Sequence, residues 1–163
     1  MSLIRKITNI AALCVLLAGC LSERSTPGVQ TAGGPAQLQD VSSREAAALN
    51  NLRAQYGLSA LGTDPTLARI ARGHAQDMMT NRFFGHVSSD GRTIVERTHE
   101  ADYQFCHVAE NLAMGQAGFD QVLAQWMTSP SHRSNVLHRN VDDFGLIHGP
   151  GNLWVLVLGR PGC

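Results

Sequence analysis

Three side chains in this sequence have the chemistry for a polar site: His86, Glu110 and His132. His86 follows Phe83-Phe84-Gly85, which seats it at the rim of a core beside a permissive glycine. Glu110 lies between Val108-Ala109 and Leu112-Ala113. A carboxylate so placed must meet a cation, a histidinium or several donors, because burial without a partner is costly. His132 follows Pro130 in the run Trp126-Met127-Thr128-Ser129-Pro130-Ser131-His132-Arg133-Ser134-Asn135. Two imidazoles and one carboxylate suit Zn²⁺ or another divalent metal with an open fourth position, where water could be activated. Without metal, the same groups make an acid–base pair in which Glu110 orients His132 and His86. The plainest alternative is structural: a turn histidine on a carbonyl, and a carboxylate serving as a hydrogen-bond hub. The three residues are read on three separate loops. They lack the two-histidines-on-one-helix spacing of a metalloprotease, and no serine near His132 has a nucleophile-elbow context.

Elements that would hold these residues can be read from period and punctuation. Ser42-Ser43-Arg44-Glu45 is a capping box opening a helix with Leu49, Leu52 and Tyr56 on one face, and Gly57 stops it. Asp64-Pro65 supplies an N-cap and a first-turn proline for a second helix, with Leu67, Ile70, Ala71, His74 and Met78 turned inward. His74 is therefore a core histidine with an edge towards the cleft. Gly73 costs this helix stability unless a close neighbour needs the room. Ser88 to Gly91 is a turn, and Ile94 to Tyr103 a short helix. Phe119 to Met127 is a helix ended by Pro130, after which Ser129 or Ser131 caps a further helical turn through Val136 and Leu137. Arg133 and Asn135 tie that loop to backbone carbonyls. Phe144 to His148 and Leu153 to Leu158 form a hairpin around Gly149-Pro150-Gly151-Asn152. The last strand is apolar at every position, as a strand covered on both faces would be. Helices on each side of a small central antiparallel sheet follow: an α+β, three-layer α-β-α sandwich.

Residues 1–19 read as an export signal rather than fold. Arg5 and Lys6 precede an apolar run from Ile10 to Ala18, too short to span a bilayer, which closes on Leu17-Ala18-Gly19-Cys20. That ending resembles a bacterial lipobox, with cleavage leaving a lipidated Cys20; an ordinary secretory signal is the alternative. Leu21, with no aspartate beside Cys20, points a lipoprotein to the outer membrane in a cell that has one. Residues 20–41, rich in Gly, Pro, Ser and Gln, form a flexible tether, and the domain runs from 42 to 163. Cys14 leaves with the signal, so Cys106 and Cys163 remain; in an oxidising compartment they suggest one disulfide, with two free buried thiols the alternative. Beyond residue 20 the chain carries 13 acidic and 11 basic residues, scattered without a stripe, which excludes an electrostatic nucleic-acid footprint.

Residues from about 45 to 158 resemble a bacterial CAP domain, the SCP-like superfamily of cysteine-rich secretory, antigen 5 and pathogenesis-related 1 proteins. The resemblance rests on Leu67-Ala68-x-x-Ala71-x-x-His74-x-x-Asp77-Met78, Phe84-Gly85-His86, Ala109-Glu110-Asn111-Leu112-Ala113 and Trp126-x-x-Ser129-Pro130-x-His132-Arg133-x-Asn135, with the strand after Phe144-Gly145. It implies the α-β-α sandwich. It also implies a surface cleft of two histidines and acidic residues, in which some members bind a divalent metal; His86, Glu110 and His132 match those positions. The larger eukaryotic pattern has a second glutamate after Trp126, where Thr128 and Ser129 stand here, and a histidine-tyrosine-threonine-glutamine segment that this chain lacks.

Three functions are compatible with these readings. The first is a non-enzymatic envelope module binding a small apolar ligand, a lipid or a cell-wall or protein partner through the cleft. The second is a metal-dependent hydrolase acting on protein or cell wall. The third is a structural or adhesive lipoprotein. They rank in that order, because the set of residues is incomplete for catalysis.

Overall fold

The computed structural model describes residues 37–41 and 43–163. The expected signal, Cys14, Cys20, most of the tether, and Ser42 of the first capping box lie outside the described residues. In chain order the elements are β1 (Gln39–Asp40), α1 (Ser43–Gln55), β2 (Gly62–Thr63), α2 (Pro65–Asn81) and α3 (Ile94–Glu100). There follow β3 (Phe105–Met114), α4 (Phe119–Thr128), α5 (Pro130–Val136), β4 (Asp143–Gly149) and β5 (Leu153–Pro161).

The closing hairpin forms as its residues predict, with a short 3₁₀ turn at Pro150–Asn152 in which Gly151 takes a φ of 71°. β5 is the centre of the sheet, antiparallel to β4 on one side and to β3 on the other. β1 joins the outer edge of β4 antiparallel at Ile147 and His148, and β2 joins it parallel at Asp143 and Phe144. The reason for the uniformly apolar strand is visible in two separate cores. Leu49, Val122, Trp126 and Val136 from α1, α4 and α5 cover Leu146, Leu156 and Leu158 on one face. Leu67, Ile70, Ala71 and Met78 from α2 cover Ile147, Val155 and Val157 on the other. Each large side chain so buried contributes about 1.5–3 kcal/mol. The fold is the three-layer α-β-α sandwich.

Helix starts follow their local chemistry. Asp64 caps α2, its Oδ1 accepting from Leu67 N at 2.8 Å, with Pro65 in the first turn. Glu96 reaches back to Thr93 N at 2.8 Å to start α3, which stops at Glu100 because Asp102 turns to a φ of 56°. Tyr56 lies past the end of α1 and is 43% exposed, whereas Arg53, one turn earlier, is buried. Its guanidinium bonds Ser59 O, Val136 O and His138 O, so the buried face of α1 includes a cation satisfied by carbonyls. Residues 38–41, expected in the tether, belong to the domain: Arg72 donates to Leu38 O at 3.0 Å and to Asp40 Oδ1 at 2.7 Å. Cys106 and Cys163 are bridged, with Cα atoms 5.2 Å apart, where the start of β3 meets the end of β5.

Candidate functional site

Period two on β3 sends successive side chains to opposite faces of the sheet. Leu112 joins the α2 core, while Ala109 and Ala113 join the α4 core. Glu110 therefore faces α2 and α3, and Asn111 faces α4 and α5. This corrects the loop expected for Glu110: it stands inside a ten-residue strand. The polar pair interrupts the apolar alternation, which hides the strand from a periodicity reading.

Glu110 keeps only 2% of its side chain exposed. Arg97 Nη2 donates to its Oε2 at 2.7 Å, and His86 Nδ1 donates to Oε1 at 2.9 Å. His74 Nε2 stands 3.8 Å from the same Oε1. The sequence reading misses Arg97 altogether, because α3 is short and its single buried cation breaks no pattern. Arg97 Nη1 also donates to His86 O, Ser88 Oγ and Arg92 O, so one guanidinium holds both the carboxylate and the loop that carries His86. His74 is wholly buried and belongs to this centre rather than to the core alone. Its Nε2 meets Gly85 O at 2.8 Å, which fixes that nitrogen as the protonated one and leaves Nδ1 to accept from Ser88 Oγ at 3.4 Å. Burial pushes its basicity below the ordinary imidazole value; Glu110 pulls the other way and Arg97 adds to the lowering.

On the opposite face Asn111 Nδ2 donates to His132 O at 3.0 Å, and Asn135 Nδ2 donates to Asn111 Oδ1 at 2.9 Å and Glu110 O at 3.3 Å. Trp126 Nε1 donates to Leu112 O at 3.0 Å, so α4 and α5 cover the free edge of β3. Ser129 takes the N-cap position of α5 with its carbonyl, at 2.8 Å from Arg133 N, and makes no side-chain cap bond. Asn135 ties down the loop as expected. Arg133 does not: its guanidinium lies over the Tyr56 ring at 5.0 Å, and the carbonyls go to Arg53. His132 reaches the cleft, its ring 6.4 Å from that of His86, but it makes no bond to Glu110. Burial and then His86 lower its basicity. His99, His107, His138 and His148 lie outside: they pack on Phe105, on each other, and on Trp154.

Among the described residues no three His, Cys, Asp or Glu side chains converge as a metal site. Glu110 is engaged by Arg97 and by the inner nitrogen of His86, where it orients the imidazole. Two imidazoles remain, one short of the usual protein ligands of a zinc site that keeps an open position. What the centre does provide is one half-exposed histidine, His86, whose Nδ1 is committed and whose Nε2 is free to accept or shuttle a proton. Ser88, close by in sequence, is 5% exposed and bonded to Arg97, so it is no nucleophile.

The apolar surface lies elsewhere. Between α1 and α4 runs a groove of about 640 Å³, walled by Ala47, Ala48, Leu52, Leu123, Ala124 and Met127. Alanines on both helices leave the channel open, and the Arg44–Asp120 ion pair, at 3.6 Å, stands beside it.

A sandwich whose edge strand carries a buried glutamate and asparagine, stapling the His86 loop on one face and the His132-bearing helix α5 on the other, defines a small histidine-cleft α-β-α domain. The chain belongs to the cysteine-rich secretory protein family, the CAP domain, whose sequence profile matches residues 46–155. It is 29% identical over 111 residues to the uncharacterized membrane protein YlbC of Bacillus subtilis, covering 68% of this chain and 32% of that one. It is 28% identical over 125 residues to YkwD of the same organism, covering 76% and 49%. The chain thus spans half or less of the length of these two relatives. Among solved structures, an SCP-domain extracellular protein of Bacillus anthracis matches with a TM-score of 0.67 at 26% identity, over 72% of this chain and 39% of that one. An outer surface protein of Borrelia burgdorferi shares the fold, with a TM-score of 0.66 at 24% identity over 77% of this chain and all of that one.

Proposed function

We propose that this protein is an exported, lipid-anchored module of the bacterial envelope that binds an apolar chain, such as a fatty acyl group, between α1 and α4. The groove carries the reading: its volume of about 640 Å³ falls within the roughly 300–1,000 Å³ of ordinary ligand sites, and its walls are mainly apolar. The apolar ligand moves from the histidine cleft, where the sequence alone would seat it, to the opposite face of the sheet. Glu110 then acts as a staple that keeps the cleft loops in place. Export and anchoring rest on the lipobox ending at Cys20, in keeping with relatives described as outer surface and extracellular proteins. A fluorescent fatty acid titrated into the purified protein should bind saturably, lose that binding in Ala48→Trp and Ala124→Trp, and keep it in His86→Ala. Retention of binding in both tryptophan variants would end the reading. Metabolic labelling with a tagged acyl chain should mark the wild type and not Cys20→Ala.

A second reading, a hydrolase using His86 as general base, is favoured by the 2.9 Å contact that orients its ring. It requires turnover of an ester or peptide substrate that His86→Ala abolishes while leaving the fold intact.

A further inference from the structure

Strand register gives the sandwich two distinct ends. At one of them Gln39, His148, Trp154 and Ala113 pair across the sheet, with Gly149, Leu153 and Met114 in the next row. α2 runs towards this end: a Cβ on Gly145 would overlap Ala68, early in the helix, whereas one on Gly149 would meet Leu38 and Met79, near its close. Arg82 caps the helix there with a φ of 56°, and Phe83 and Phe84 follow. The opposite end holds β2, paired at Asp143, and the Cys106–Cys163 bridge.

The first end is apolar. Met114 has the strand parity of Glu110 and Leu112, so it lies on the α2 face, and it is 44% exposed; Phe84 is 50% exposed. Leu38, Met79 and Phe83 form the half-buried rim of the α2 core beside them. Arg82, exposed, adds a cation to this rim. Exposed apolar side chains standing singly need no explanation. Here the chain itself supplies one, because Leu38 stands only 18 residues after Cys20. A chain of that length reaches at most roughly 65 Å. A lipid on Cys20 therefore holds this end near a bilayer at an effective concentration on the order of millimolar, where contacts too weak for a free protein are occupied.

We propose that the end formed by Phe84, Met114 and Leu38 is a membrane-docking face, seated on the phospholipid bilayer that carries the Cys20 lipid; it rests on the anchored reading given above. Phe84 and Met114 enter the interface, and Arg82 meets lipid phosphate at the rim. Docking brings His86, two residues after Phe84, to the membrane surface. The α1–α4 groove begins at the same end, since Arg44 and Ala48 line both it and a smaller cavity walled by His148 and Trp154. An acyl chain thus enters the groove from the bilayer rather than from water.

The test places the acylated full chain in vesicles of phosphatidylethanolamine and phosphatidylglycerol whose acyl chains carry bromine, a contact quencher of tryptophan. Phe84→Trp and Met114→Trp should each lose fluorescence beyond the wild type, whose Trp126 and Trp154 are buried. Arg139→Trp, exposed four residues before Asp143 at the far end, should not. Adding Phe84→Asp to Met114→Trp should relieve the quenching at 114 while the protein stays on the vesicles. All three positions are exposed, and unchanged melting temperatures verify the fold. Quenching at 139 equal to that at 84 and 114 overturns the proposal, as does quenching at 114 that survives Phe84→Asp, because the tether alone then explains it. Unquenched tryptophans at 84 and 114 overturn it too; a blue-shifted emission would give the patch to a second copy, an unshifted one would leave it to water. Acyl labelling separates the two readings. An unlabelled Cys20 removes the anchor and the docking with it, whereas a labelled chain with unquenched tryptophans removes the docking alone.

Discussion

A carboxylate with 2% of its side chain exposed is stable only while its partners stay in place, and at Glu110 they differ in weight. Arg97 is itself 6% exposed, so the pair is a desolvated ion pair; His86 is 55% exposed, and water screens its contribution. Glu110→Gln leaves a buried guanidinium without its counter-charge and should cost about 3–5 kcal/mol. His86→Ala removes an exposed partner and should cost less than about 1 kcal/mol. Chemical denaturation of the two variants measures the difference. Equal losses would mean that the histidine, and not the arginine, holds the strand. This asymmetry also separates roles at the same contact: Arg97 and Glu110 maintain the loop, and His86 presents a free imidazole nitrogen from it.

At the level of elements, the centre depends on how closely α2 lies on the sheet. Gly145 in β4 marks the closest approach, because a Cβ there would overlap the backbone of Leu67 and Ala68. Gly145→Ala must therefore push α2 outward, and α2 carries His74. Overpacking of this kind costs about 1–3 kcal/mol. The denaturation midpoint should fall by a matching amount, and amide exchange in the first turns of α2 should quicken relative to α4. Unaltered exchange in α2 would show that the strand, and not the helix, absorbs the added methyl group. The edge strand β3 has the complementary task. Its alternation delivers Glu110 to one layer and Asn111 to the other, so a dipeptide ties down both the His86 loop and the His132-bearing helix α5.

For the whole molecule the histidines give a common sign. His74 and His132 are held below the ordinary imidazole range by burial, and so is His107, where charge repulsion from His138, its ring 3.8 Å away, adds to the effect. When the folded value is below the unfolded one, the unfolded chain binds more protons in acid, so stability rises with pH. The contribution is complete above the unfolded value of about 6.5 and is lost as pH falls through it towards the folded values. Melting temperature should be flat above about pH 7 and decline below about pH 6.5, and His107→Gln should flatten part of that decline. A melting temperature that rises on acidification would overturn the assignment of buried neutral rings. Much of this protein was legible in its sequence. Caps and prolines placed α2 and α5, the apolar run at Leu153 to Leu158 required helices on both sides, and two remaining cysteines anticipated the Cys106–Cys163 bridge. These are local signals, in which each residue reports its own element's axis or the number of its partners. Arg97 and His74 lie 13 and 36 positions from Glu110, on helices whose directions no spacing rule links to β3. Only the packing of α2 and α3 on the sheet decided that a guanidinium would meet the carboxylate, because that depends on vectors between elements and not on periods within them.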